Sequence, residues 1–268
     1  MNSAESLDLL KIKSQIRAEL LVNMAAPVIF DTIDSTNNWA LDQCRDTVIL
    51  PKICFAERQL AGRGRKNRDW YSPRAQNIYM SIAYKFDVKP DQLYGLSMVM
   101  GVCIVRVLGK LGVKAGLKWP NDVYVGVGKI AGILIETRVK QDAGMCAVIG
   151  VGLNYDMAKT SSVLIENQWT DLLKEIKDDR TVDRSVLAGM LLNEILTVCD
   201  QFASIGFDGF RNEWQEYDLC IGRRLDIFEG GRVIEGEYIG INEHGALMVI
   251  VDGRQETFYA ADVSIRMK

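Results

Sequence analysis

Apolar and polar residues follow two different periods along this chain. Val28-Ile29-Phe30, Ile53–Ala56 and Ile78–Tyr84 are short apolar runs and read as strands. After the first, Asp34-Ser35-Thr36-Asn37-Asn38 supplies a helix start, with Asp34 or Ser35 as N-cap for a helix through Leu41. Tyr94–Leu111 is the longest apolar helix. Its apolar residues run nearly all the way round, which predicts burial on every face. Strands follow at Gly116–Trp119, Ile130–Val139 and Cys146–Leu153, then a polar loop over Tyr155–Asp171. Leu187, Met190, Leu191, Glu194, Ile195 and Val198 recur at helical spacing within a helix from Ser185 to Phe202, and Phe207–Tyr217 reads as a further short helix.

The pattern then changes. Ile221–Met267 alternates in short strands punctuated by Glu229-Gly230-Gly231, Asn242-Glu243-His244-Gly245 and Asp252-Gly253, which describes a small antiparallel barrel. A boundary near Asp218 divides the chain into a lead-in at 1–26, a main domain at 27–218 and a small domain at 219–268. The lead-in is polar, helical in pattern and too short to fold as a domain.

Composition narrows the classes. The chain has 268 residues, 48% hydrophobic and 25% charged, which is ordinary for a soluble globular protein. A net charge of −3 gives no general attraction to nucleic acid or to an anionic membrane. Glu5 and Asp8 interrupt any signal-peptide start, and the apolar stretch Leu96–Val105 is too short to span a bilayer. None of the six cysteines (44, 54, 103, 146, 199, 220) lies in a CxxC pair, so they read as reduced, buried thiols of a cytoplasmic protein, with Cys103 and Cys199 as core packing. With one histidine, His244 in a predicted turn, a Ser-His-Asp hydrolase or a zincin would have to run on that residue alone. No cluster has metal-ligand spacing, so no protein-held metal is expected.

Three segments carry candidate chemistry. Gly62-Arg63-Gly64-Arg65-Lys66-Asn67-Arg68 sets four cations and two glycines in seven residues. Such a loop can wrap an anion with backbone N–H groups and guanidinium forks, although a solvated surface loop has the same composition. Lys118-Trp119-Pro120-Asn121-Asp122-Val123-Tyr124 leads through a turn to Lys129-Ile130-Ala131-Gly132. In isolation, Asn121 and Asp122 suit any hairpin turn and Lys129 suits a solvated strand start. Val148-Ile149-Gly150-Val151-Gly152-Leu153-Asn154 is a strand of small residues that a flat ligand could approach. It is not a dinucleotide-binding GxGxxG, and no GxxxxGK[ST] run is present.

In this order, and with Asp34-Ser35-Thr36-Asn37, Glu57-Arg58-Gln59 and Asn77-Ile78-Tyr79-Met80-Ser81 between them, these segments resemble the biotin protein ligase family over most of residues 28–268. The resemblance implies an α+β fold: a mixed β-sheet flanked by helices, like the class II aminoacyl-tRNA synthetase core, followed by a C-terminal SH3-like β-barrel. It implies activation of biotin by ATP, with Mg²⁺, to biotinyl-5′-AMP and pyrophosphate, then transfer of biotin to a lysine of a biotin carboxyl carrier protein. It assigns biotin contacts to Ser35, Thr36, Asn37, Gln59, Gly62, Arg63, Gly64, Arg65, Lys129 and Gly132. It assigns ATP and adenylate contacts to Arg63, Arg65, Arg68, Asn121, Lys129, Asn154, Trp169 and Arg266. Lys129, Arg65, Arg68 and Asp122 are the expected catalytic residues, Asp122 orienting the incoming amine or a metal-bound water, and Trp70 is expected to brace the arginine loop. With 26 residues before the core, the chain resembles the monofunctional ligases, and operator DNA binding is not expected; a truncated longer ligase would look the same. A homodimer is possible, with Ile130–Val139 as the candidate edge strand. The open alternatives are a lipoate or octanoate ligase, disfavoured by Ser35-Thr36-Asn37 beside Gly62-Arg63-Gly64-Arg65, and a biotin-responsive regulator that does not transfer its ligand.

Overall fold

The computed structural model describes residues 5–45, 50–139, 145–157, 168–177, 181–260 and 263–268. Residues 158–167, within the polar loop expected at 155–171, lie outside the described residues.

The main sheet has seven strands: β1 (Val28–Phe30), β2 (Lys52–Ala56), β3 (Asn77–Phe86), β4 (Gly116–Lys118), β5 (Asp122–Val125), β6 (Gly128–Val139) and β7 (Met145–Asn154). Their order is β1-β2-β3-β7-β6-β5-β4, with β1 and β2 parallel and the other neighbours antiparallel. The helices are α1 (Leu9–Ser14), α2 (Ala18–Val22), α3 (Thr36–Gln43), α4 (Leu96–Lys110), α5 (Leu172–Glu175), α6 (Arg184–Ile205) and α7 (Asp208–Glu216).

The two faces of the sheet differ, and period-two alternation decides which residue serves which face. Ile78, Met80 and Ile82 of β3, Ala131 and Ile133 of β6, and Ala147, Ile149, Val151 and Leu153 of β7 enter the large core with α4 and α6. The intervening residues face the other way. Ala83, Cys146 and Val148 pack with Ala40 and Cys44 of α3 in a separate small cluster. Ser81, Gly132, Leu134, Gly150 and Gly152 continue that face toward the start of α3. By length and composition, Pro90–Lys110 and α6 could each cross a membrane, but their apolar residues are core: Val99, Met100, Val102, Cys103, Leu187, Leu191 and Ile195 are fully buried.

Two expectations change. Gly128–Gly132 of β6 pairs with β5 on one side and Ala131–Val139 pairs with β7 on the other, so the expected edge strand Ile130–Val139 is paired on both sides at Ala131 and Gly132. The outer side of β6 lacks a pairing strand beyond Ile133 among the described residues. Cys44 and Cys146 form a disulfide across the small cluster, with Cα atoms 5.8 Å apart. The expectation that all six thiols are free is therefore corrected: Cys44 ends α3 and Cys146 faces it from β7, which the linear sequence does not show. Cys54, Cys103, Cys199 and Cys220 are free and buried. A thiol titration of denatured, unreduced protein is expected to count these four; six would contradict the pairing.

The lead-in is part of the main core: Leu7, Ile12, Ile16, Leu20 and Met24 are buried, and α1 and α2 lie along α6. The small domain is a five-stranded antiparallel sheet of β8 (Arg224–Glu229), β9 (Arg232–Ile241), β10 (Leu247–Val251), β11 (Arg254–Phe258) and β12 (Val263–Met267), in the order β11-β10-β9-β8-β12. The backbone bond from Leu219 to Leu117 (2.9 Å) joins the two units, beside one from Leu117 to Tyr217 (2.7 Å) at the end of α7. So does the Trp119 indole N–H, which donates to the Gly245 carbonyl at 2.9 Å. Asp218 at this junction accepts from the Tyr238 hydroxyl at 2.6 Å and from the Cys220 N–H at 2.8 Å, while burial pushes its carboxyl pKa up. His244 lies in the exposed β9–β10 turn.

Candidate active site

A cavity of about 520 Å³ opens on the α3 face of the sheet. Its floor is glycine because side chains from above need the space. A Cβ on Gly152 would lie 2.5 Å from the Trp70 ring, one on Gly132 3.0 Å from that ring and 3.2 Å from Lys129 Nζ, and one on Gly150 2.8 Å from Asn37 Cγ.

One end of the cavity is uncharged and polar. Ser35 takes the N-cap position of α3 but makes no side-chain capping bond. Behind it, the Thr36 N–H and hydroxyl both approach Gln59 Oε1, at 2.9 and 3.0 Å. The Gln59 amide nitrogen donates to Ser72 Oγ at 3.0 Å. Ser81 Oγ lies 2.8 Å from Thr36 Oγ1 and 2.6 Å from Asn37 Oδ1. Ser35, Thr36, Asn37 and Ser81 are at most 5% exposed, and Thr36, Asn37 and Ser81 are held by one another.

The other end is cationic. The arginine loop closes on itself, with the Trp70 N–H donating to Gly62 O at 2.9 Å and the Gly64 N–H to Arg68 O at 2.6 Å. Lys66 and Asn67 sit in the left-handed region at φ 55° and 56°, the sharp turn that folds the loop back. Gly62 lies behind the cavity, where a Cβ would meet Ser72 Oγ at 2.5 Å and Trp70 O at 2.6 Å. Arg63 pairs with Glu136 at 2.8 Å. Arg65 donates to Asn121 Oδ1 at 3.2 Å and to the carbonyls of Ala260 and Val263 in the small domain; burial lowers its pKa, against the neighbouring Asp122 carboxylate. Lys129 Nζ pairs with Asp122 at 2.6 Å and stands 5.1 Å from the Trp70 ring centroid. Asn121 is tied to β6 by its amide, 2.7 Å from Ile133 O.

The far wall is built around the backbone of Lys129. Its N–H donates to Gln168 O and its carbonyl accepts from the Thr170 N–H, which sets Trp169 alongside. The Asn154 amide clamps this arrangement by donating to Lys129 O (3.3 Å) and Thr170 O (3.0 Å).

The cavity lining thus includes Ser35, Thr36, Asn37, Gln59, Arg63, Gly64, Arg65, Arg68, Asn121, Asp122, Lys129, Gly132, Asn154 and Trp169. Arg266 is not among the lining residues; its guanidinium lies 5.5 Å from the Phe228 ring centroid within the small domain. Sequence reasoning missed Glu136 and Ser81. Glu136 follows Gly132 at even spacing on β6, so strand alternation from the expected ligand-contacting glycine could have found it.

Residues 29–154 match the biotin/lipoate A/B protein ligase family, and residues 221–266 match the biotin protein ligase C-terminal domain. The chain is 34% identical over 263 residues to the bifunctional ligase/repressor BirA of Escherichia coli, spanning 98% of this chain and 80% of that protein. It is 31% identical over 217 residues to the biotin–[acetyl-CoA-carboxylase] ligase of Mycobacterium tuberculosis, spanning 79% and 77%. In structure, the biotin protein ligase of Aquifex aeolicus in complex with biotin and ATP matches with a TM-score of 0.76 at 24% identity, covering 90% of this chain and 99% of that one. That likeness shows the shared fold, an α+β core with an SH3-like C-terminal domain. By its family matches and its relatives, this chain belongs to the biotin protein ligase family.

Proposed function

We propose that the protein is an ATP-dependent biotin ligase that forms biotinyl-5′-AMP and then biotinylates a lysine of a biotin carboxyl carrier protein. The observation that carries this reading is the two-ended cavity. A neutral hydrogen-bonding end suits a ureido ring, and a cationic end suits a carboxylate meeting a phosphate, both over one glycine floor.

In the first step the biotin carboxylate attacks the α-phosphorus of ATP and pyrophosphate leaves. Two anions must meet, so the cations have to be fixed in advance. Lys129 is fixed by Asp122 and Trp70, and Arg65 by Asn121 and the small domain. Arg63 and Arg68 supply further positive charge from the loop. Mg²⁺ would enter with ATP on its phosphate oxygens. Asp122, which lines the cavity, is already paired with Lys129, and Glu136, outside the lining, with Arg63. In the second step the carrier lysine's amine attacks the acyl carbon and AMP leaves. Asp122, on the strand beside Lys129, would orient that amine. Trp169 and Asn154 border the space for the purine.

The need for ATP and a carboxylase carrier domain fits action in the cytoplasm. A homodimer would use the outer side of β6 beyond Ile133. Biotin is expected to support exchange of labelled pyrophosphate into ATP, and lipoate is not. Exchange with lipoate instead would favour the lipoate ligase reading, and biotin binding without exchange would favour a regulator. Gly150→Ala is expected to raise the biotin KM at least about tenfold, because the new methyl displaces Asn37. An unchanged KM would contradict the placement of Asn37.

A further inference from the structure

The row Asn37–Ser81–Thr36–Gln59 is one hydrogen short. It has three oxygen–oxygen contacts: Asn37 Oδ1 to Ser81 Oγ at 2.6 Å, Ser81 Oγ to Thr36 Oγ1 at 2.8 Å, and Thr36 Oγ1 to Gln59 Oε1 at 3.0 Å. Two hydroxyl hydrogens are available to fill them. The row could complete itself if the Asn37 amide turned over and its nitrogen donated to Ser81. Ser81 would then donate to Thr36, and Thr36 to Gln59. Asn37 is held the other way round. Its Nδ2 faces two acceptors on β6, Glu136 Oε2 at 2.9 Å and the Leu134 carbonyl at 3.5 Å. Turning the amide would set Oδ1 against the Glu136 carboxylate, which offers acceptors alone. Gln59 cannot relieve the shortage, because its Oε1 already receives the Thr36 backbone N–H at 2.9 Å and its nitrogen is committed to Ser72.

We infer that Glu136 is a specificity-determining positioning residue: by fixing the Asn37 amide it keeps the neutral end of the cavity short of hydrogens, and so selective for a ligand that brings N–H donors. This rests on the biotin reading, in which the ureido ring supplies those donors. Glu136 acts through Asn37 and touches no reacting atom. Its second partner, Arg63, makes a rival explanation possible, namely that Glu136 matters through charge.

Substitution separates the two explanations. In Glu136→Gln the amide oxygen can take the place of Oε2, accepting from both Asn37 and Arg63, while its nitrogen takes the place of Oε1 and gives up the 3.1 Å contact from Arg63, so the polarity toward Asn37 is kept and the charge is lost. Glu136→Met removes both. The polarity account expects E136M to raise the biotin KM about ten- to hundredfold with kcat within about threefold, and E136Q to stay within about threefold of wild type in both. Wild type should also prefer biotin at least about tenfold over an analogue with one ureido N–H replaced by oxygen, and E136M should lose most of that preference. If E136M does not fold, a swapped pair gives the same answer. Asn37→Asp faces Glu136 with like charge and should bind biotin poorly; N37D/E136Q restores the hydrogen bond with donor and acceptor exchanged and should recover at least about tenfold. Equal losses in E136Q and E136M, no loss in E136M, or no recovery in the double variant would overturn the inference. Wild-type protein that ignores biotin would overturn the functional reading, and this inference with it.

Discussion

Lys129→Ala is expected to lower biotin-dependent exchange of pyrophosphate into ATP by about 10²–10³, or about 2.7–4 kcal/mol of transition-state stabilisation. The size follows from how the lysine is held. Its ammonium is 2.6 Å from Asp122 and lies 5.1 Å from the Trp70 ring centroid, and its side chain is 23% exposed. The charge is fixed before substrates arrive, and little reorganisation is needed when the carboxylate and the α-phosphate approach. The loss should fall on kcat, because the charge that Lys129 meets grows as the new P–O bond forms. A variant that keeps kcat and loses affinity alone would show that Lys129 binds substrate uniformly and takes no part in the step.

Arg184→Met is expected to destabilise the protein by about 3–5 kcal/mol, measured by denaturant unfolding. Arg184 and Glu57 are 5% and 3% exposed and meet at 2.6 Å. The guanidinium also donates to the carbonyls of Asn77 (3.0 Å) and Glu5 (2.8 Å), and Glu57 accepts the Leu7 N–H. Methionine fills similar volume but leaves the Glu57 carboxylate buried without its cation. The cost therefore comes from the stranded charge, and Glu57→Met/Arg184→Met should be less unstable than Arg184→Met alone. The same network joins the N-terminal segment to two entries into the site. Glu57 lies two residues before Gln59, and Asn77 opens β3 opposite Asn154. A loss below about 1 kcal/mol would mean that water replaces the guanidinium.

Elements with strong periodic or turn signals were legible in the sequence. The all-round apolar pattern of 94–111 became the buried α4, the alternation after Ile221 became the five-stranded small domain, and Ser35 stands at the N-cap of α3. The arginine loop, the Asn121-Asp122 turn, Lys129 and the glycine strand 150–154 each contribute to the lining of one cavity. What stayed hidden depended on strand pairing and on the third dimension. The bond between Cys44 and Cys146 needs α3 laid on β7. The interior position of Ala131 and Gly132 in β6 needs β5 folded back against it. The roles of Ser81 and Glu136 need the register that sets β3, β7 and β6 side by side. Arg184 lies far along the chain from Glu57, so no local pattern pairs them. Arg266 remains outside the cavity lining because β12 turns its side chain onto Phe228.

The measurement that tests the central claim most directly is transfer of labelled biotin to a purified biotin carboxyl carrier domain, with ATP and Mg²⁺, and with a carrier lacking its acceptor lysine as control. The account predicts label on the intact carrier, dependent on ATP and on Lys129, and none on the control. Biotin bound with no label transferred, or label transferred without ATP, would contradict it.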